Sequence, residues 1–222
     1  ADTNVPSGES LIRQFLFGKR FFREEFGVES EVLWLPDVFG YSGALPQIMR
    51  GCGIPYFATA KIFWAYHGGQ PFPYNTFIWE GIDGSEVKGH LMNEYNSRTD
   101  TPSLIERWDG RVQKEGIATR LLPFGFGDGG GGPTRDHLEY VRRARNLEGV
   151  PKVVIGSPIE FFRDQEQRGW PTERFVGELY FQAHRGTYTT QARTKRGNRK
   201  SEYALREAEL WASAAGALAS RD

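Results

Sequence analysis

The sequence has little sulfur, no net charge and no long apolar run. A single cysteine, Cys52, excludes an internal disulfide and fits a reducing compartment such as the cytoplasm. Lysine plus arginine and aspartate plus glutamate both number 28, so no field of one sign draws the chain to nucleic acid or to a membrane surface. Neither a signal peptide nor an apolar run near about 20 residues is present. These absences favour small-molecule chemistry.

Aromatic residues, in contrast, are plentiful. They make up 14% of the chain, with six tryptophans and nine tyrosines, and either core packing or stacking on a carbohydrate explains them. A length of 222 residues is enough for one core and part of a second domain. The loop-like opening Ala-Asp-Thr-Asn-Val-Pro leads us to expect a piece of a longer protein.

The hydrophobic pattern predicts helices that alternate with strands. The predicted helices are 7–27 (facing the core), 43–52, 104–115, 135–147, 157–168 and 195–220. Ser7 is a plausible N-cap and Gly27 a stop for the first, and Ser157, Pro158 and Glu160 give a start signal for the fifth. The predicted strands are 32–35, 56–59, 76–80, 85–90, 120–124 and 152–155, with the third and fourth joined as a hairpin. Strands alternating with helices imply βα units around a parallel sheet. The composition changes beyond residue 171, and we place a domain boundary near residue 175.

One carboxylate, Asp37, directly follows a predicted strand. Pro36 ends the strand and Gly40 marks a tight turn, so Asp37 is expected at the edge of a sheet, where α/β proteins hold their ligands. Aromatic rings at Trp34, Phe39 and Tyr41 flank it, an environment that suits a sugar ring or a metal. The alternative is that Asp37 caps the next helix or closes a turn.

A second carboxylate, Asp128, lies in a glycine-rich loop between a predicted strand and a predicted helix. Gly125, Gly127 and Gly130 satisfy Gly-x-Gly-x-x-Gly, so a dinucleotide-binding oxidoreductase has to be weighed. Asp128 inside the loop would repel the phosphates, and no acid follows the next predicted strand. Glycines that leave an acid accessible to a bulky substrate fit better, although the loop could also hold an incidental aspartate.

Two carboxylates at one edge of a sheet are what glycoside hydrolysis requires. One would stay ionised and attack or stabilise the anomeric carbon, while the other would protonate the leaving oxygen. The histidines show no paired metal-binding spacing. They are His67, His90, His137 and His184. His184 lies among polar residues and is a candidate ligand contact, whereas His90 on a strand fits a packed, hydrogen-bonded role.

Three strings of the sequence resemble glycoside hydrolase family 38 α-mannosidases, close to the cytosolic and bacterial branch. They are Trp-Leu-Pro-Asp-Val-Phe-Gly-Tyr-Ser at 34–42, Phe-Gly-Phe-Gly-Asp-Gly-Gly-Gly-Gly-Pro-Thr at 124–134, and His-Arg-Gly-Thr-Tyr-Thr-Thr-Gln at 184–191. The resemblance extends from about residue 2 to residue 202. It implies an irregular β/α barrel with parallel strands, followed by a helical domain. Residues 1–175 would be the later part of the barrel, and residues 176–222 the start of the helical domain.

The resemblance also implies an activity and roles for single residues. The activity is a retaining, zinc-dependent exo-hydrolysis of α-linked mannose, with mannose-containing oligosaccharides or glycosides as substrates. Asp37 would be both the nucleophile and a zinc ligand, and Asp128 the acid/base, although other branches of the family carry a second acid where this chain has Gly129. Phe39 and Tyr95 would contact the sugar. His184 and the adjacent Arg185 complete the expected substrate contacts.

Some family features are missing from this chain. The family's zinc site also uses a His-x-Asp pair and a His-Asp segment, and the sequence contains neither. We therefore expect an internal fragment of an α-mannosidase, which in its complete form is cytoplasmic and a candidate homo-oligomer, with the remaining zinc ligands outside the fragment. A catalytically silent relative that binds carbohydrate is the main alternative, and the dinucleotide-binding oxidoreductase is a distant one.

Overall fold

The computed structural model describes residues 2–64 and 70–219, which form a mixed α/β arrangement. Its α-helices are α1 Gly8–Phe26, α2 Leu45–Gly51, α3 Thr101–Asp109, α4 Arg135–Ala144, α5 Pro158–Arg168 and α6 Ala192–Ala219. Its strands are β1 Val32–Trp34, β2 Tyr56–Thr59, β3 Thr76–Glu80, β4 Glu86–Leu91 and β5 Arg174–Val176. Two short 3-10 helices span Lys61–Phe63 and Arg185–Tyr188.

The five strands form one sheet in the order β1-β2-β4-β3-β5. The pairs β1–β2, β2–β4 and β3–β5 are parallel, whereas β3 and β4 form the predicted antiparallel hairpin. Three of the four strand pairs are parallel as expected, and the predicted hairpin, whose tight turn at Asp83–Gly84 brings β4 back beside β3, adds one antiparallel pair. The sheet is mixed.

Three parallel strands end at the same edge of this sheet. Trp34 of β1 pairs with Ala58 of β2, and Ala58 pairs with His90 of β4. The segments that follow β1, β2 and β4 consequently emerge side by side. Any polar side chains on these three segments are placed close to one another by the register of the sheet.

Both faces of the sheet are buried. Phe57 of β2 points into a cluster with Leu45 and Met49 of α2, and its neighbour Tyr56 points into a second cluster with Phe162 of α5. Adjacent residues of a strand point to opposite faces, so the two clusters lie on opposite sides. The sheet is thus held between α2 on one side and α5 on the other.

The capping signals in the sequence are confirmed. Ser7 caps α1, and Gly27 ends it in a left-handed conformation with φ of 65°. Ser157 and Glu160 form a capping box at the start of α5, with Pro158 in its first turn. These side chains satisfy backbone donors and acceptors that have no partner inside the helix.

Several predicted elements are wrong in place or extent. Residues 120–124 form a single bridge between Phe124 and Ser97 rather than a strand, and residues 152–155 form no strand, with Val154 87% exposed. The predicted helix 104–115 is α3, which begins earlier because Asp100 caps it and ends at Gly110. Apolar runs alone predicted these strands, but the run at 152–155 is largely exposed and the partly buried run at 120–124 pairs with its neighbour only at Phe124.

The first helix also faces the core less than predicted. Leu11 is its only buried residue, whereas Leu16, Phe22 and Phe26 are 46% to 64% exposed. Helix α6 has no buried residue within its described part. Within residues 2–64 and 70–219, no helix combines the length and the apolar character needed to span a bilayer.

Residues on both sides of the predicted boundary at 175 contact the sheet. Strand β5 pairs with β3, and Leu179 forms a bridge with Tyr41. Leu179 and Phe181 belong to the larger core cluster. The boundary near residue 175 stays a prediction.

Candidate active site

Asp37 lies in the turn that follows β1, at the edge of the sheet. The turn is fixed to the neighbouring strand, because the Leu35 amide donates to the Ala58 carbonyl and the Tyr41 hydroxyl donates to the Leu35 carbonyl at 2.6 Å. The side chain of Asp37 is 51% exposed. The cap of the following helix is Ala44, so Asp37 does not serve as that helix cap. A well-anchored turn therefore presents its carboxylate to the outside.

Lys61, which the sequence interpretation missed, is the charged partner of Asp37. Its ammonium nitrogen lies 2.5 Å from Asp37 Oδ1, and the lysine itself is buried. Lys61 comes just after β2, the strand next to β1. A cation that follows an apolar strand is the signal from which its place at this edge could have been inferred. The Lys61 and Ala60 amides both donate to the Pro36 carbonyl, which joins the two segments.

Tyr95, on the segment after β4, lies close to both candidate carboxylates. Asp37 and Asp128 both lie near enough for their charges to act on its phenol. Burial, with the charges of Asp37 and Asp128, raises the pKa of Tyr95 from 10.0 to about 12. Tyr95 therefore remains a hydrogen-bond donor at neutral pH.

The loop that carries Asp128 is a tight, closed structure. The Phe126 amide donates to the Gly132 carbonyl at 2.8 Å, and the Gly132 amide donates back at 2.6 Å. Gly125 has φ of 115°, and a Cβ there would lie 2.6 Å from the Pro133 nitrogen, so no other residue fits without rearrangement. Asp128 has φ of 52° and is exposed at the tip. The glycines shape a loop that presents this acid.

The same loop does not support a dinucleotide site. That motif requires a strand, a glycine turn and a helix in succession. Residues 120–124 supply only the bridge at Phe124, and Thr134 rather than a glycine caps α4, with its side chain 2.7 Å from His137 Nδ1. The dinucleotide alternative therefore lacks the strand on which it depends.

Aromatic rings form a wall beside the Asp37 turn. The Phe39 ring lies edge to face with His184, with centroids 4.7 Å apart, and Phe181 lies 5.0 Å from the same imidazole. Phe181 and Trp64 also line a cavity of about 150 Å³. Arg185 is exposed and begins the 3-10 helix after His184. A largely aromatic surface next to a carboxylate suits the apolar face of a sugar.

The residues that the structure describes do not form a zinc site by themselves. Throughout residues 2–64 and 70–219, no three histidine, cysteine, aspartate or glutamate side chains come together in a way that could hold a metal. His90 is buried and hydrogen-bonds to Thr76 through Nδ1. His137 hydrogen-bonds to the Thr134 side chain through Nδ1 at the start of α4, and His67 lies outside the described residues. Asp37 has the chemistry of one zinc ligand, but a catalytic zinc ion takes about three protein ligands.

The arrangement places an anchored carboxylate, a phenol donor, a second carboxylate on a glycine loop and an aromatic wall around one sheet edge. Asp37, Tyr95 and Asp128 come together at this edge, and Phe39 and His184 lie next to them. A carboxylate that attacks and another that exchanges protons are the groups needed to cleave a glycosidic bond.

Comparison with known proteins agrees with this geometry. The family described as "Glycosyl hydrolases family 38 N-terminal domain" matches residues 1–187, and "Alpha mannosidase middle domain" matches residues 182–221. Alpha-mannosidase G of Dictyostelium discoideum is 45% identical over 96% of this chain and 20% of its own length. The alpha-mannosidase of Saccharomyces cerevisiae is 42% identical over the same shares of the two chains. The chain thus spans about a fifth of the length of these curated relatives.

Solved structures show a similar fold. An alpha-mannosidase from Enterococcus faecalis superposes with a TM-score of 0.60 at 22% identity, covering 80% of this chain and 21% of that one. A second protein of that organism, from the Glycosyl Hydrolase Family 38, gives a TM-score of 0.51 at 19% identity, covering 79% and 18%. From the family match over most of its length, the chain belongs to glycosyl hydrolase family 38.

Proposed function

We propose that this chain is part of a retaining α-mannosidase, in which it carries both catalytic carboxylates. The observation that carries the proposal is the Asp37 carboxylate, held at the sheet edge by Lys61 and close to Tyr95, which is near Asp128 as well. The names of relatives 42% to 45% identical to this chain, all alpha-mannosidases, supply the substrate class. The substrate is an α-linked mannose at the end of an oligosaccharide or glycoside.

In the proposed reaction Asp37 attacks the anomeric carbon while Asp128 protonates the departing oxygen. The bond between the sugar and its leaving group breaks, and a covalent ester forms between Asp37 and the mannosyl group. Asp128, now ionised, takes a proton from water, which attacks the same carbon and releases mannose. Two inversions give net retention of the α configuration.

The remaining candidate residues hold the sugar. Phe39 would pack against one face of the ring, and Tyr95 would donate a hydrogen bond near the reacting centre. His184, whose ring contacts Phe39, and the exposed Arg185 would contact other hydroxyl groups. Cationic and aromatic groups next to hydroxyl-rich rings are common in sugar sites.

Zinc belongs to the proposal as a ligand of the complete protein. Asp37 would supply one oxygen, and the other ligands would come from residues outside this chain, since the described residues contain no cluster that could hold the ion. Zinc bound there would act as a Lewis acid towards the sugar. The steps derived above use only Asp37 and Asp128.

The proposal extends to the architecture and the setting of the protein. Residues 1–175 would be the later part of an irregular β/α barrel, and residues 176–222 the start of a helical domain; the two family matches meet somewhat later, at residues 182–187. The similar fold of the Enterococcus faecalis enzyme supports this arrangement. A cytoplasmic location fits the single, buried cysteine.

The experiment that tests the function replaces Asp37 by asparagine in the complete protein. The amide is nearly the same size but cannot form the ester, so turnover of an aryl α-mannoside should fall by orders of magnitude. Asp164→Asn is the matched control, because Asp164 is a surface acid paired with Arg168 on α5. A rate for Asp37→Asn within about tenfold of wild type would refute the nucleophile assignment. An inactive wild type that still binds mannosides would favour a silent carbohydrate-binding protein.

A further inference from the structure

Lys61 is an unusual residue for the rim of a sheet. Its side chain is only 5% exposed, although lysine is rarely buried unless its charge is paired. The partner is the Asp37 carboxylate, which is half exposed. A buried cation is thus joined to a carboxylate that faces the outside, and the cation restrains one of the two oxygens.

Three aromatic rings surround the same ammonium group. Its nitrogen lies 3.5 Å from the ring centroid of Trp64, 5.5 Å from that of Phe39 and 5.7 Å from that of Tyr95. Such distances are within the range of cation–π attraction, which strengthens when the cation is desolvated. Phe39 and Tyr95 are also the rings expected to contact the sugar. One cation therefore connects the proposed nucleophile with two sides of the proposed sugar site.

The backbone of Lys61 is bonded to the segment that carries Asp37. The Lys61 amide donates to the carbonyl of Pro36, the residue directly before Asp37, at 3.1 Å. The lysine also begins a 3-10 helix whose Phe63 amide donates back to Ala60. The ammonium and the carboxylate consequently belong to two segments whose backbones are bonded to each other, so both side chains start from fixed positions.

We propose that Lys61 is a positioning residue for the mannosidase reaction, which holds the Asp37 carboxylate in its attacking orientation and the surrounding rings at the sugar site. The inference rests on the proposed function. Lys61 acts through Asp37 by its charge, and it transfers no proton. When Asp37 leaves the sugar in the second step, the same ammonium stabilises the carboxylate that is released.

The test is chemical rescue of Lys61→Ala in the complete protein. The truncation opens space beside a half-exposed carboxylate, so a small amine can enter. We expect kcat on p-nitrophenyl α-mannoside to fall about 10²-fold, with a much smaller change in KM, because a misplaced nucleophile slows the reaction rather than binding. Propylammonium should restore part of kcat, whereas 1-propanol, similar in size but neutral, should not.

Lys88→Ala is the matched control. Lys88 is a partly buried lysine of the same sheet that pairs with the Glu166 carboxylate and lies 5.7 Å from the Trp170 ring. Its surroundings thus resemble those of Lys61, but it lies on β4 itself, before the strand reaches the site. The control should keep kcat within about twofold of wild type and should not respond to amines.

Two outcomes would overturn the proposal. Lys61→Ala with kcat within about threefold of wild type would remove any positioning role. Equal rescue by 1-propanol and propylammonium would show that Lys61 only fills space. An inactive wild type, in contrast, would contradict the proposed function and would be recognised before any variant is compared.

A double-mutant cycle of melting temperatures tests the ion pair without a measurement of activity. Each of Lys61→Met and Asp37→Asn removes one charge of the pair, and Asp37→Asn leaves a buried ammonium without its partner. The double variant should therefore lose less in melting temperature than the sum of the two single losses. Losses that add would show that the two groups are not coupled, and would contradict the proposal even if Lys61→Ala proved too unstable for kinetics.

Discussion

At the scale of single residues, the two acids of the site differ in how they are held. Asp37 is restrained by a lysine and by a turn bonded to β2, whereas Asp128 lies at the exposed tip of a glycine loop. The restrained group fits an attack on one fixed carbon atom. The accessible group fits proton exchange first with a leaving oxygen and then with water.

The acid/base role of Asp128 predicts a dependence on the leaving group. Asp128→Ala should slow hydrolysis of mannosides with poor leaving groups by about 10²- to 10⁴-fold, and should slow activated aryl mannosides much less, since these need little protonation. Azide should partly rescue the variant and give the α-mannosyl azide, because it needs no base. An equal loss for all leaving groups, with no effect of azide, would assign the acid/base to another residue.

A buried histidine predicts an acid-sensitive fold. Burial, and secondarily the charge of Arg120, lowers the pKa of His90 from 6.5 to about 3, so the folded state keeps the ring neutral. As pH falls below about 6.5 the unfolded chain binds a proton that the folded chain does not, and stability drops by about 1.4 kcal/mol per pH unit until about pH 3. His90→Asn can keep the hydrogen bond to Thr76 but does not titrate, so its stability should fall less as the pH is lowered.

Urea unfolding of the chain at pH 7 and pH 5 measures this difference. The free energy of unfolding of the wild type should fall by about 2 kcal/mol more than that of His90→Asn over this interval. Equal losses would mean that His90 is not kept neutral by the fold.

At the scale of elements, the loop 125–134 depends on one glycine and tolerates change at another. Gly125→Ala would place a Cβ 2.6 Å from the Pro133 nitrogen at φ of 115°, so we expect a distorted loop, a stability loss of about 1–3 kcal/mol and a large fall in turnover. At Gly129 a Cβ would meet no heavy atom within 4 Å, and Gly129→Ala should change stability by less than about 1 kcal/mol. Melting temperatures and kcat of the two variants check this, and equal effects would contradict the steric account.

The sequence predicted these elements best where local chemistry decides the structure. Caps at Ser7 and Ser157, the hairpin turn at Gly84 and the position of Asp37 after β1 all follow from side chains within a few residues. The false strands at 120–124 and 152–155 were predicted from short apolar runs, which do not reveal whether a neighbouring strand is available. Lys61 was missed because its importance depends on β2 lying beside β1, although its place just after the apolar strand β2 is visible in the sequence.

At the scale of the whole molecule, the site is shared between segments far apart in the chain. Residues after β1, β2 and β4, the glycine loop and the region of His184 all contribute to it. Several large apolar side chains on α1 and α6 are exposed. They include Phe17, Phe21, Leu210 and Trp211. Such surfaces favour association when the chain is isolated.

The candidate zinc ligands among the described residues predict how the isolated chain binds zinc. Residues 1–222 alone should retain no stoichiometric zinc after dialysis against a mild chelator and should not hydrolyse mannosides, because one carboxylate in water holds a divalent ion weakly. The complete protein should retain one zinc ion. Elemental analysis is the measurement, and one zinc per isolated chain that is lost in Asp37→Asn would contradict the prediction.

The covalent ester on Asp37 is the central claim, and trapping it is the most direct measurement. A fluorinated mannosyl fluoride whose second step is slow should label the complete protein once per site, and digestion with mass spectrometry should place the sugar on Asp37. Asp37→Asn should remain unlabelled. A label on any other residue, or hydrolysis with inversion and no label, would contradict the assignment of Asp37 as the nucleophile.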